Sequence, residues 1–314
     1  MQMHLNARGL ARAQPLIDDP SRYNVAISRE TGCRIIDCGV DAPGGLEAGR
    51  ALAEVCLAGL GQIELVLGSS WPGPAVRAST DQPTSACIAS QYAGWPVARD
   101  SYFGMGSGPM RAARGREPVF DHVGHLERPD EVIGVLESGK LPDSETSRAM
   151  AEECHVDHER LTLLVARTAS LAGTIQVVAR SIETALHKMH ELEFDITRVI
   201  SGFGVAPLPP AAADDLTAIG RTNDAVLYGG EVTLWVEGDD DSLIELGPQI
   251  PSSSSPDSGR PFSEIFERYE RDFYKIDPLL FSPAVITLIN TGSGRSFQFG
   301  AISTDVLRKS FSGD

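Results

Sequence analysis

Arg180 and Glu183 stand three residues apart in VVARSIETALHKM, residues 177–189. A carboxylate beside a guanidinium is a candidate general base whose protonation is set by its neighbour. At roughly 100° per residue, a helix through this stretch gathers Ile175, Val178, Ile182, Leu186 and Met189 into one apolar stripe. Arg180, Glu183 and His187 fall on another face, open to water or to a ligand. The same spacing also describes an ordinary i,i+3 surface pair, worth about 0.2–0.5 kcal/mol to a helix. Spacing alone leaves both readings open.

Three other groups of residues could do chemistry. GMGSGP (104–109) reads as a glycine-rich loop with Arg111 close behind it. It lacks the GK[ST] of a phosphate-binding P-loop, and Pro109 breaks the spacing of a dinucleotide fingerprint. Its amides could form an anion nest; equally, its glycines could serve a tight turn that needs positive φ. Of the seven histidines, those in DHVGH (121–125) and HVDH (155–158), and the pair His187 and His190, have the look of metal clusters. None carries an HExxH pattern or a paired cysteine set, so polar or surface histidines are the expectation and no metal is assigned. There is no GxSxG elbow, and the serines of 252–255 suit a flexible linker better than a nucleophile. Phe262, Phe266, Tyr269, Phe273, Tyr274 and Phe281 could flank a flat ring, but helical spacing assigns most of them to the core.

The elements that must position these residues follow from periodicity and punctuation. A helix over 1–20 ends near Asp19-Pro20. Strands at 25–28 and 33–40 form a hairpin through Glu30, Thr31 and Gly32. A helix spans 44–59, a strand 63–68, and 80–97 holds a short helix with a strand or loop behind it. A strand at 131–136, a helix after Pro142 and a buried strand at 161–167 lead into one long helix, 168–192. VAPLPP (205–210) is a proline-rich break. AVLYGG and EVTLWV (225–236) read as a hairpin turning at Gly229-Gly230. PQIPSSSSPDSGRP (248–261), with five serines and four prolines, has the composition of a mobile loop. A helix over 264–276, a hairpin through Thr291-Gly292-Ser293-Gly294 and a short helix complete the chain. Hairpins mixed with helices, without strict βαβ alternation, indicate an α+β fold. No solenoid repeat is present. A division into a first unit, 1–140, and a second, 141–314, carrying Arg180 and Glu183, is expected, with segments free to interleave.

The chain has 314 residues, 42% hydrophobic and 22% charged, ordinary for a globular protein of one or two domains. A net charge of −16 argues against nucleic acid and against electrostatic attachment to an anionic membrane. An anionic ligand must then be held by a local cluster of Arg, Lys or backbone N–H groups. Cys33, Cys38, Cys56, Cys87 and Cys154 are odd in number and unpaired in spacing, which suggests free thiols in a reducing cytoplasm. No signal peptide and no apolar run of membrane-spanning length is evident.

Several long strings resemble the methenyltetrahydromethanopterin cyclohydrolase family: QYAGWPV (91–97), GMGSGPMRA (104–112), VARSIETALHKMHEL (178–192), IGRTNDAVLYGG (219–230), IPSSSSPDSGRPFSEIF (250–266) and YKIDPLLFSPA (274–284). The likeness runs from about Leu5 to Phe311. It implies reversible hydrolysis of the N5,N10-methenyl bridge of tetrahydromethanopterin to the N5-formyl compound, in one-carbon metabolism, without metal, nucleotide or prosthetic group. It implies two α/β units side by side with the substrate cleft between them, and a homo-oligomer, commonly a trimer. The family's catalytic Arg-x-x-Glu falls on Arg180 and Glu183. Glu183 is then the base that takes a proton from water, with Arg180 holding it and tuning it. Gly106, Ser107, Gly108 and Arg111 are expected at the substrate's anionic tail, and Asn223, Asp224 and Ser253 at the pterin ring. The alternative is a non-catalytic pterin carrier or interaction protein on the same fold.

Overall fold

The computed structural model describes residues 3–29, 32–68, 70–99, 101–272 and 275–312. The expected hairpin residues Glu30 and Thr31, and the aromatics Phe273 and Tyr274, lie outside them. The chain forms an α+β structure of two compact units, each around a mixed six-stranded sheet. The units interleave: residues 1–61 and 85–176 build the first, 62–84 and 177–314 the second. The boundary expected near residue 140 therefore falls inside the first unit, because no break in composition marks the places where the chain crosses.

In the first unit the strands are β1 (Ala26–Ser28), β2 (Arg34–Gly39), β5 (Trp95–Arg99), β6 (Tyr102–Ser107), β7 (Val132–Glu137) and β8 (Leu161–Ala166). Their order is β1-β2-β8-β7-β6-β5, with β2, β8 and β7 parallel and the rest antiparallel. β8, LTLLVA, is buried at every position, as a central parallel strand covered on both faces should be. Helices α1 (Leu5–Asp18) and α2 (Leu46–Cys56) pack on each other and on β7. Glu127 accepts from the amides of Leu5 and Asn6, satisfying orphan donors at the start of α1 from 121 residues away in sequence. The Asp37 carboxylate at the end of β2 accepts four amides, Gly39 to Ala42, at 2.7–2.9 Å. The short helices α3 (Met110–Arg114) and α4 (Val119–Val123) follow β6, and α5 (Ser144–Glu153) starts at Asp143, which accepts from Thr146 N–H.

The second unit holds β3 (Gly61–Leu67), β4 (Pro74–Thr80), β9 (Val199–Pro207), β10 (Glu231–Val236), β11 (Val285–Asn290) and β12 (Ser296–Gly300), in the order β12-β11-β10-β9-β4-β3. The hairpin through 291–294 is present as expected. β4 was not legible in the sequence. The proline-rich 205–210 is no break at its start: Ala206 and Pro207 belong to β9, paired with Val76 and Ala75 of β4. AVLYGG is not a strand either. It closes α8 (Asp215–Gly229), and Gly229-Gly230 turns that helix into β10. A Cβ on Gly229 would stand 2.6 Å from Pro207 Cγ, so this glycine serves close packing rather than a hairpin turn.

The expected long helix 168–192 is two helices, α6 (Leu171–Val178) and α7 (Ser181–Glu191), broken at Ala179-Arg180. Periodicity is nearly continuous through the break, so the stripe Ile175, Val178, Ile182, Leu186 and Met189 is buried all the same. The remaining helices are α9 (Asp240–Leu246), α10 (Phe262–Arg268) and α11 (Thr304–Ser312). α10 ends at Arg268, well short of the expected 276. Among the described residues no helix is long and apolar enough to cross a membrane.

Candidate active site

Glu183 enters the structure at the third position of α7, with Arg180 as the residue that caps it. The cap residue leaves helical geometry at φ −86°, ψ 7°, and its carbonyl accepts the first intrahelical bond, from Thr184 N–H at 2.9 Å. A carboxylate in a first turn faces the unsatisfied amides and the positive end of the helix dipole. Arg180 and Glu183 are only 7% and 5% exposed. An ordinary surface pair would be far more open; charged side chains are rarely buried without a specific use. His187, one turn further on, is half-buried and 3.7 Å from Glu191.

α7 is set against the sheet through glycines. Gly202 and Gly204 alternate on one face of β9. A Cβ on Gly204 would stand 2.4 Å from Ser181 Oγ, and one on Gly202 would stand 2.9 Å from Ile182 Cγ2. The first turn of α7, which carries Glu183, thus lies directly on strand backbone. The sequence SGFG marks this approach, although nothing in it names the helix that approaches.

The serine-proline segment 248–261 is pinned rather than mobile. Ser252 Oγ donates to Leu227 O of α8, and Ser254 Oγ to Gln249 O. Ser255 Oγ donates to Asp277 at 2.7 Å. Asp257 is buried in a bridge to Arg268 and accepts from Tyr269 Oη at 2.8 Å. Each serine is an adaptable donor that satisfies a nearby acceptor, and composition does not distinguish that use from a flexible linker. Ser253 is the exception: it is exposed and makes no side-chain hydrogen bond among the described residues. Asn223, on α8 in the same unit, is half-buried and donates to Ile219 O at 2.8 Å.

The other expected contacts have structural employment. Asp224 is fully buried, and its Oδ1 accepts Phe262 N–H at 2.8 Å, capping α10. Burial pushes its carboxyl up to about 7, against the easing effects of the Ser310 hydroxyl and the Phe262 amide. Its observed use is thus the cap of α10. GMGS is strand β6, not a loop. Gly106 pairs with Trp95, and a Cβ there would meet Met110 Cε at 2.9 Å. Ser107 is buried with its Oγ 3.2 Å from Cys56 Sγ. Only Gly108, at φ +86°, needs glycine's freedom, and its amide is already given to Ser90 O at 2.8 Å. Arg111 is wholly buried: it bridges to Glu117, donates to Ile88 O at 2.7 Å and lies 4.9 Å from the centre of the Tyr92 ring. The anion nest read from these glycines is thus filled by the protein's own groups. These four residues belong to the first unit, whereas Arg180, Glu183, Asn223, Asp224 and Ser253 belong to the second.

Of the histidines, His125 meets Ser85 at 3.2 Å and His158 meets Ser147 at 2.9 Å. No group of three metal-ligating side chains is present among the described residues. All five cysteines are buried, and none forms a disulfide among the described residues. Phe262 stacks on Phe266 at 5.8 Å and tilts against Phe281, a core use of the aromatics. Two features escaped the sequence reading. Thr84–Gln91 forms a π-helix, a rare form that often accompanies functional sites. Lys188 is completely buried on α7.

Fold and site together describe a two-unit α+β protein with a buried carboxylate and guanidinium at a helix start, the equipment of proton-transfer catalysis. The chain belongs to the cyclohydrolase family: the profile described as "Cyclohydrolase (MCH)" matches residues 4–311. It is 52% identical to a methenyltetrahydromethanopterin cyclohydrolase of Rhodopirellula baltica over 288 residues, 89% of this chain and 86% of the relative. Proteins of the same name from Methylobacillus flagellatus (43% identical, 94% of this chain and 91% of the relative) and Methanospirillum hungatei (41%, 92% of each) are similar along nearly their whole lengths.

Proposed function

We propose that this protein hydrolyses the methenyl bridge of N5,N10-methenyl-tetrahydromethanopterin, with Glu183 as general base and acid and Arg180 holding and tuning it. The observation that carries the mechanism is the burial of both charges at the start of α7; the names borne by the relatives carry the substrate. The methenyl carbon is an amidinium-like cation and already electrophilic, while water is a weak nucleophile. Removing a proton from water as the O–C bond forms lowers the barrier. Glu183 takes that proton and gives it to N10 as the C–N10 bond breaks. The hydroxyl of the carbinolamine loses its own proton as it becomes the formyl carbonyl, and that proton leaves to solvent. The oxidation state of the carbon does not change.

Asn223 and Ser253 are the side chains we assign to the polar edge of the pterin. Both belong to the unit that carries Glu183, and both offer hydrogen-bonding groups at its surface. Arg111, Gly106, Ser107, Gly108 and Asp224 act as the scaffold described above. Loss of the near-ultraviolet methenyl absorbance tests the reading, with Glu183→Gln alongside. Wild-type turnover with loss of at least a hundredfold in kcat in the variant is expected. Binding without turnover by the wild type would favour a carrier, and a variant at the wild-type rate would remove Glu183 from the chemistry.

A further inference from the structure

Lys188 has no ordinary reason to be where it is. It is 0% exposed, on the helix that carries Glu183. It makes no ion pair among the described residues; its ammonium is held by neutral acceptors alone. Nζ donates to Ser254 Oγ at 2.8 Å, to Pro251 O at 3.5 Å and to Leu279 O. The one carboxylate whose charge it feels, Asp277, is itself engaged by Ser255 Oγ and Leu279 N–H. Burial lowers this lysine to about 8, the direction desolvation demands. An apolar side chain of the same length would satisfy packing better than an unpaired buried cation. Stability is therefore a poor account of the residue.

Its geometry offers a better one. The three acceptors come from two segments, the turn at 251–254 and the 3₁₀ turn Pro278–Leu280. Three donors at tetrahedral angles can hold two segments to one helix as no single hydrogen bond can. Ser252 anchors the first segment to α8 at the same time. Ser253 lies between these anchors; it is exposed, as Ser254 is, but among the described residues its hydroxyl, unlike that of Ser254, is engaged by no protein group. Along α7, Lys188 stands about 7.5 Å beyond Glu183, five residues at about 1.5 Å each. One rigid helix thus carries both the carboxylate and the clamp.

We propose that Lys188 is a positioning residue for the pterin: by fixing the 251–254 turn to α7 it holds the Ser253 hydroxyl at a set place relative to Glu183. This rests on the cyclohydrolase reading above and extends it to a residue buried beneath the site. It governs how well the ring is held, not how the proton moves. Lys188→Met, measured in the absorbance assay beside wild type and Ser253→Ala, should raise KM about tenfold, as loss of about one good hydrogen bond would, with kcat within about twofold. A merely structural defect would do the opposite, lowering apparent kcat as the folded fraction falls and leaving KM alone. Because Lys188 acts through Ser253, the double variant should be no worse than Lys188→Met; additive losses would mean that the two act independently and would overturn the proposal. An unchanged KM in folded Lys188→Met would overturn it too. Should that variant fail to fold, Ser254→Ala, which removes the side-chain acceptor of Lys188 together with the bond to Gln249 O, must show a smaller KM rise of about threefold, and an unchanged KM there refutes the clamp. Absence of turnover in the wild type is the separate result that would strike the functional reading itself.

Discussion

Asp224 provides the sharpest test of the split between scaffold and site. Its carboxyl is fully buried, accepts Phe262 N–H and is pushed up to about 7 from an ordinary 3.8. A carboxyl whose folded pKa is raised holds its proton in the native state after the unfolded chain has released it. Stability from this group is therefore greatest at low pH, falls as pH rises from about 4, and levels off above about 7. The shift of about three units, at about 1.4 kcal/mol each, corresponds to about 4 kcal/mol between those limits. Asp224→Asn keeps an oxygen acceptor for Phe262 N–H but cannot ionise. Urea unfolding of both proteins at pH 5 and pH 8 isolates the group, since every other titration cancels in the difference. The variant should gain on the wild type by about 3 kcal/mol between the two pH values, somewhat less than the full span, while KM stays within twofold. Parallel pH dependences would refute the burial argument. A large KM rise would return Asp224 to the pterin edge.

Two further outcomes follow from the packing. Glu117→Gln strands the wholly buried Arg111 guanidinium and should cost about 3–5 kcal/mol in denaturant unfolding, whereas an anion-tail role for Arg111 would show instead as a KM effect at unchanged stability. Gly204→Ala puts a methyl 2.4 Å from Ser181 Oγ; the shift of the first turn of α7 should cost about 1–3 kcal/mol in thermal melts and reduce kcat more than Ala78→Gly, a change on the neighbouring strand β4.

Much of the fold was legible because local signals agreed with tertiary placement. The buried run LTLLVA, the punctuation at Asp19-Pro20 and the turn at Thr291 to Gly294 each need only their own neighbours to be understood. The errors arose where a residue's meaning depends on something distant. AVLYGG has strand-like composition, yet Gly229 is there because Pro207 of β9 lies against it. GMGSGP looks like a ligand loop, yet its glycines admit Met110 and the backbone of Trp95, and its one positive-φ amide is spent on Ser90. The stripe of α6 and α7 hid the break at Arg180 because a short interruption barely disturbs a 3.6-residue period. At the site, Arg180 and Glu183 were visible as types and spacing, but their burial was not. Lys188 carried no signal at all: in a helix ending HKMHEL, a lysine between two histidines reads as solvated face.

The interleaving of the two units bears on how the chain is made. It crosses between them three times, near residues 61, 84 and 176, so no single cut yields two separate pieces. On the ribosome, the pair β3 and β4 emerges early, but its sheet partner β9 begins only at Val199. For more than 100 residues of synthesis, β4 presents an unpaired strand edge, and exposed edges invite pairing with other chains. The first unit has all its segments once residue 176 is out. The hazard of misassembly in this protein is thus concentrated in a short hairpin that must wait for the later half of its own chain.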